Sequence, residues 1–296
     1  MSTPPALRPS PRLDAEWDEH RPAVFGAAYR ITGSVADAED IVQDVWLRAA
    51  ARDSLDDVRD LRAWLVTVAA RRAYDVLTSA RARRVDYVGP WLPEPLLTGP
   101  DAAEPVLLEE TLGTAMLLVL EELSPPERVA FVLYRVFAVP YERIGEVLGR
   151  SAAACRQLVS RAQRKVAAAE ADGGTASRAE RERLVTAFRA AYETGDGSAL
   201  LALLDPGATY VTDGGGVVFA ARKVLVGAER VAAILVRVAG RRGLTTRPAE
   251  INGAPGLLVY DGDGTLFAAD TLEVSGGRIT AYRRVLNPRK LAHLAR

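Results

Sequence analysis

The chain carries a single cysteine, Cys155, in 296 residues. An internal disulfide is therefore excluded, and the fold must rest on packed cores in a reducing compartment. No apolar run approaches the ~18 residues that a membrane span needs, and the N-terminus lacks the apolar core of a signal peptide. Residues 1–12 are instead rich in Pro and Ser and read as a disordered lead-in. The chain is expected to be soluble and cytoplasmic. It also lacks net charge, with 38 basic residues against 38 acidic ones. A protein that grips DNA unaided should be basic, because phosphate neutralisation dominates affinity. Residues 1–170 even hold 21 Arg and Lys against 25 Asp and Glu. Any DNA contact by this chain is thus local or assisted by a partner.

One segment lacks acidic charge altogether. Between Val147 and Ala169 there is no Asp or Glu, while Arg150, Arg156, Arg161, Arg164 and Lys165 all fall there. Just upstream, Tyr141–Leu148 carries Glu142 and Glu146 and reads as a short helix opened by Pro140. Gly149 suits a left-handed helix end, and Ser151 suits the cap of the next helix. A helix, a glycine-closed turn and a helix with a basic outer face form the layout of a helix-turn-helix. Cys155, Leu158, Val159, Ala162 and Val166 recur at helical spacing as its buried stripe, with Cys155 a small hydrophobe. That leaves Arg156, Gln157, Ser160 and Arg161 to reach base edges, where Arg suits guanine and Gln adenine. Arg164 and Lys165, further along, suit phosphates.

The remaining sequence divides by pattern. Residues 13–86 read as helical. Ala38, Ile41, Val42, Val45, Trp46 and Ala49 form one apolar stripe, backed by an acidic face with Glu39, Asp40, Gln43 and Asp44. A second helix over 61–84 takes Trp64, Leu65, Val68, Tyr74 and Leu77 as anchors and has a basic surface. Residues 87–105 form a proline-rich linker, in which Tyr87, Trp91 and several leucines point to docking on another surface. Residues 106–170 are helical again, with Ser124-Pro125-Pro126-Glu127 a capping box. After a flexible boundary at 171–177, residues 178–296 alternate helices with strand-like runs: 209–211, 217–219, 257–260, 265–269, 271–274 and 279–285. Turn signals at Asp261–Gly264 and Gly276-Gly277 suggest hairpins. This is the pattern of an α+β domain, helices packed on a curved antiparallel sheet.

The ordered motifs resemble the extracytoplasmic-function sigma factors of bacteria. Residues 37–49 (DAEDIVQDVWLRA) with Leu61–Leu65 resemble their region 2, and Leu123 through Lys165 resembles region 4. Tyr87–Pro95 (YVGPWLPEP), Asp213–Gly216 and Asn287–Leu291 resemble signatures of the subgroup fused to a SnoaL-like domain of the nuclear transport factor 2-like fold. Val217, Arg289 and Gln163 depart from that pattern, where Lys, Asp and Arg are usual. The resemblance implies two all-α sigma domains followed by an α+β SnoaL-like cone. It implies as partners promoter DNA and the β′ and β subunits of core RNA polymerase, with no membrane and no cofactor or metal.

By the same resemblance Asp40, Gln43, Asp44 and Leu47 face the polymerase. Arg62, Arg71, Arg72 and Tyr74 serve the −10 element, whose flipped base the 52–60 loop would hold. Arg156, Gln157, Ser160, Arg161, Arg164 and Lys165 serve the −35 element. Tyr87, Pro90, Trp91, Pro93, Asp213, Gly214, Gly215, Gly216, Asn287, Pro288 and Lys290 form an interdomain regulatory set, with Arg289 and Lys290 reaching an acidic partner surface.

Two other classes compete with this one. One is a stand-alone helix-turn-helix regulator. The other is a SnoaL-like enzyme with a fused regulatory module, using Asp213 or Asp270 in a pocket. The second lacks an acid–base constellation: His293 is the only histidine of its domain, and Asp213 is expected in a glycine turn. A regulatory, non-catalytic domain is therefore expected, and a small ligand in the cone is left open.

Overall fold

A computed structural model describes residues 10–52, 54–84, 87–99, 114–173 and 176–294. Most of the expected lead-in, and residues 100–113 of the linker and the start of the second helical region, lie outside the described residues. The chain forms two compact units. The first joins residues 1–82, 104–110 and 120–166, and the second joins 83–103, 111–119 and 167–296.

The first unit is helical. Helix α1 (Pro11–Thr32) starts two residues earlier than expected, because the Ser10 hydroxyl accepts from the Leu13 N–H and Pro11 presets the first turn. Gly33 closes it in a left-handed conformation. Helix α2 (Val35–Ala50), capped by Ser34, buries Ala38, Ile41, Val45 and Ala49 against the rest of the unit. Helix α3 (Leu61–Arg84) buries Leu61, Leu65, Val66, Ala69, Ala70 and Ala73. Trp64, Val68 and Tyr74, expected as anchors, are only half-buried, because the alanines let the helix pack closely along a neighbouring stripe. Arg12 ties α1 to the loop between α2 and α3 by donating to the carbonyls of Leu55 and Val58.

In the same unit α5 (Pro125–Arg135), α6 (Tyr141–Leu148) and α7 (Ala152–Gly173) as far as Val166 follow α4 (Thr114–Glu122), whose residues 114–119 belong to the second unit. Arg128 on α5 is buried and donates to the Ile31 carbonyl at the end of α1 at 2.8 Å, and also meets Glu121.

The second unit holds a six-stranded sheet in the order β2-β1-β6-β5-β4-β3. Its strands are β1 (Leu204–Asp213), β2 (Leu225–Val226), β3 (Thr245–Ile251), β4 (Ala254–Tyr260), β5 (Leu266–Ser275) and β6 (Arg278–Val285). Neighbours are antiparallel except β1 and β6, which run parallel. The sheet is therefore mixed, because the first strand of the domain closes on the last.

Helices α8 (Arg178–Thr194), α9 (Gly197–Leu203) and α10 (Ala228–Arg242) share one core with the sheet face that carries Leu257, Val259, Ala268 and Tyr282. Alternate residues, Leu258, Ala269 and Val285, face the other way. That second face is covered by Leu92 and Leu97 of the linker and by Leu291 of α11 (Pro288–Leu291).

Two expectations about strands need correction. Residues 217–219 are not a strand. Gly215 and Gly216, at φ 58 and 72, turn the chain away from the sheet, and Phe219 is left exposed. Residues 265–269 and 271–274 are one strand, β5, with the buried Asp270 interrupting its apolar pattern. Strand β3 escapes the sequence pattern because Pro248 breaks it, and an edge strand tolerates proline.

Candidate nucleic-acid interface and linker clamp

The helix-turn-helix is built around Gly145. A Cβ there would stand 2.5 Å from the Arg150 carbonyl, and the Arg150 N–H donates to the Gly145 carbonyl at 3.0 Å. Only hydrogen fits beneath this turn. Gly149 closes α6 at φ 64, and the Ser151 hydroxyl accepts from the Ala154 N–H at the start of α7. Gly145→Ala should therefore cost about 1–3 kcal/mol by overpacking, as measured by thermal unfolding, and swing α7 out of register. An unchanged melting point would show that the turn relaxes without strain.

Helix α7 buries Cys155, Leu158, Val159, Ala162 and Val166 and exposes Arg156, Gln157, Ser160, Arg161, Arg164 and Lys165. All but Lys165 line one shallow concavity along the helix. Arg156 lies over the Tyr141 ring at 5.2 Å, and Tyr141 stacks on Tyr134 at 4.7 Å. Arg161 and Lys165 have a partner that the sequence reading missed. Arg161 Nε donates to Glu127 Oε1 at 3.0 Å, and Lys165 Nζ lies 3.3 Å from Glu127 Oε2. Glu127 also accepts from the Ser124 N–H at 3.0 Å, its half of the capping box, and from the Ser124 hydroxyl at 2.7 Å. Burial alone would raise the Glu127 carboxyl, but the donors from Ser124, Arg161 and Lys165 outweigh it and lower it to about 2.

On α2, Asp40, Gln43 and Leu47 are exposed. Gln43 and Leu47 line a groove with Trp17, Phe25 and Trp46 of α1 and α2, so Trp46 is a groove wall rather than a core residue. Asp44 is half-buried and accepts from Arg48 at 2.9 Å and from Arg72 on α3 at 2.5 Å. One residue expected to face the polymerase and one expected to face DNA therefore pair with each other. Arg62 and Arg71 are exposed, with Arg62 over the Phe137 ring at 5.9 Å, and Tyr74 is half-buried. In the 52–60 loop, Arg52 grips Asp57 at 2.9 Å and lies over Trp64 at 5.4 Å.

The second unit gathers the remaining set at Asp213. This residue does not sit in the glycine turn. It ends β1 and is fully buried. Its carboxylate accepts from the Tyr87 hydroxyl, from the Leu92 N–H at 2.8 Å and from Lys290 Nζ at 2.8 Å. Its backbone carbonyl accepts from Leu286 and Asn287.

Lys290 also donates to the Leu92 carbonyl and lies 4.1 Å from the Trp91 ring centroid. It is buried within its own unit, where an exposed cation had been expected; Arg289 alone of that pair is exposed. Asn287 donates to the Tyr87 hydroxyl at 3.1 Å and caps α11 ahead of Pro288. Gly214 and Gly215 permit these approaches. A Cβ on Gly215 would lie 2.2 Å from the Asn287 amide, and one on Gly214 2.8 Å from the Val218 carbonyl. Gly216 faces Val88 in the same way. Pro90 and Pro93 bracket Trp91 in this extended segment.

A second anchorage was missed. Asn252 and Leu96 exchange backbone-to-side-chain and backbone bonds of 3.1 and 2.7 Å, and Thr98 bonds the Glu250 carbonyl, its carboxylate and the Gly253 N–H. Leu97 bridges to Ile251, and His293 meets the Pro95 carbonyl. The linker thus extends the edge of the sheet beyond β3. Asn252-Gly253, both at positive φ, was a hairpin signal open to sequence reading.

Asp270 is no free acid. Arg284 grips both its oxygens, at 2.8 and 2.7 Å, and Tyr282 donates to it as well. Tyr192 accepts from Arg284, and burial pushes the nearby Tyr210 hydroxyl up to about 12. Among the described residues no cluster of His, Cys, Asp and Glu has the geometry to hold a metal ion, and no helix is long and apolar enough to cross a membrane.

A glycine-closed helix-turn-helix whose second helix has a basic, acid-free outer face, packed in one unit with a further helical region, defines a DNA-binding transcription protein. Comparison with known families makes it specific. Residues 17–83 match the model of Sigma-70 region 2, and residues 114–166 match that of Sigma-70, region 4. The ECF RNA polymerase sigma factor SigJ of Mycobacterium tuberculosis is 40% identical over 273 residues, covering 91% of this chain and 85% of SigJ. The probable ECF RNA polymerase sigma factor SigI of the same species is 33% identical, covering 94% of both chains. The crystal structure of M. tuberculosis SigJ superposes with a TM-score of 0.76 at 35% identity, covering 94% of this chain and 98% of that one. The chain belongs to the extracytoplasmic-function RNA polymerase sigma factors.

Proposed function

We propose that the chain directs core RNA polymerase to promoters through two separate grips and that its SnoaL-like C-terminal domain governs their use. The exposed face of α2, with Asp40, Gln43 and Leu47 beside the aromatic groove, suits docking on polymerase. Asp44 supports it from behind through Arg72. Arg62, Arg71 and Tyr74 on α3 suit the −10 strand, and the α7 face suits the −35 major groove. The observation that carries this reading is the acid-free face of α7 on a chain of zero net charge. Such a helix discriminates bases but cannot hold a duplex unaided, so its affinity must come from a partner. The site of action is then the cytoplasm. The test is transcription from a promoter library with core polymerase and the full chain. Initiation from a defined subset supports the reading; no promoter-dependent product would leave a stand-alone DNA-binding regulator.

The clamp at Asp213 favours a regulatory C-terminal domain over an enzyme. Both carboxylates that a catalytic pocket could use are consumed by internal partners, Asp213 by the linker and Lys290, Asp270 by Arg284 and Tyr282. A domain that grips the chain segment joining the two sigma regions constrains that segment and, through it, the use of both regions.

A further inference from the structure

We infer that Glu127 is a positioning residue for promoter reading, holding Arg161 by its Nε so that the guanidinium meets the −35 element in a fixed orientation. This rests on the assignment of α7 as the reading helix. The carboxylate is itself immobile. It is nearly buried at the third position of α5, and its Oε2 takes the N–H and hydroxyl of Ser124 and the Lys165 ammonium. Only Oε1 is left for Arg161. A carboxylate that engages Nε leaves the two terminal nitrogens as a parallel pair of donors, the arrangement that fits guanine O6 and N7. Among the described residues no other partner holds Arg161, which is half-exposed on the wall shared with Arg156, Gln157, Ser160 and Arg164.

In the sequence Glu127 has only a capping role, and nothing near Arg161 supports it. An unsupported arginine loses rotamer freedom on binding, and a held one has already lost it. Glu127 therefore acts on base choice rather than on affinity for phosphate. Lys165 steadies the carboxylate and contributes less to reading than Arg161.

The experiment uses holoenzyme assembled from core polymerase and the full chain, with duplex DNA randomised through the −35 and −10 elements, sorted by binding and sequenced. Glu127→Gln retains the cap, because Gln also serves at this position, and its melting point checks the fold. The expected result is a loss of roughly ten-fold in preference at one or two −35 base pairs, with the salt slope unchanged. Arg161→Gln should lose preference at the same base pairs, and the double variant should lose no more.

An unchanged preference profile for Glu127→Gln would overturn the proposal. So would tighter binding to all sequences with a salt slope steeper by about one or two, which would make Glu127 a brake on phosphate contact. A uniform loss across sequences would reduce it to a splint between α5 and α7. Arg156→Ala and Gln157→Ala are run alongside. If neither alters the profile, the assignment of α7 itself fails; if they do and Glu127→Gln does not, only the Glu127 proposal falls.

Discussion

Asp270→Ala should unfold the C-terminal unit at a temperature lower by about 6–20 °C, the largest stability loss expected of any single change. Asp270 and Arg284 stand directly opposite on β5 and β6, and neither is exposed at all. Burial works against the charge on Arg284, yet the Asp270 carboxylate and its hydrogen bonds keep the guanidinium protonated well above its ordinary value. Removing the carboxylate leaves that cation in an apolar core with only tyrosine hydroxyls beside it. Breaking a buried pair in this way costs about 3–5 kcal/mol. For a unit of this size each kcal/mol moves the midpoint by roughly 2–4 °C.

The measurement is calorimetry of the full chain, following the transition of the second unit. The pair itself need not be stabilising, since an apolar replacement of both partners is often neutral or better. Asp270→Leu with Arg284→Met should therefore recover most of the loss. If Asp270→Ala melts within a degree or two of the parent, the pair is not the electrostatic centre of this core.

That pair also shows what the sequence conceals. The helix-turn-helix was legible because its evidence is local: apolar spacing, Gly149, Ser151 and the absence of acids. The linker was legible as a docking segment because Tyr87, Trp91 and the leucines cannot fold by themselves among so many prolines. Asp270 and Arg284 lie fourteen residues apart, and nothing joins them until the β5–β6 register is known. Glu127 was legible as a cap, because its partner is three residues away, but Arg161 is thirty-four away on another helix. The parallel pairing of β1 with β6 depends on the whole chain path. Residues 217–219 failed in the opposite sense, since a β-branched run promised a strand that three preceding glycines redirect.

Asp213→Asn should release the linker without unfolding the domain. An asparagine there must turn either its amide or its carbonyl toward Lys290 and Tyr87, and in neither case does it carry the charge that Lys290 needs. The lysine side chain is only 8% exposed, closed in by Trp91 and Tyr87. Without the Asp213 carboxylate, its ammonium gains water in that place only if residues 87–93 lift away. The cost of breaking this buried pair, about 3–5 kcal/mol, is therefore relieved by local opening rather than by global unfolding. The Leu92 amide, bonded to the Asp213 carboxylate, should exchange its hydrogen about two orders of magnitude faster. The amides of Leu96 and Thr98, held by Asn252 and Glu250, should change much less.

Asp213→Leu with Lys290→Met, which removes both charges, should keep the Leu96 region protected. Transcription by Asp213→Asn should then shift in the same direction as that of a chain ending after residue 171, because both free the connection between regions 2 and 4. Unaltered exchange at Leu92 would show that Asp213 is not the clamp. Faster exchange with unaltered transcription would show that the clamp exists but does not regulate.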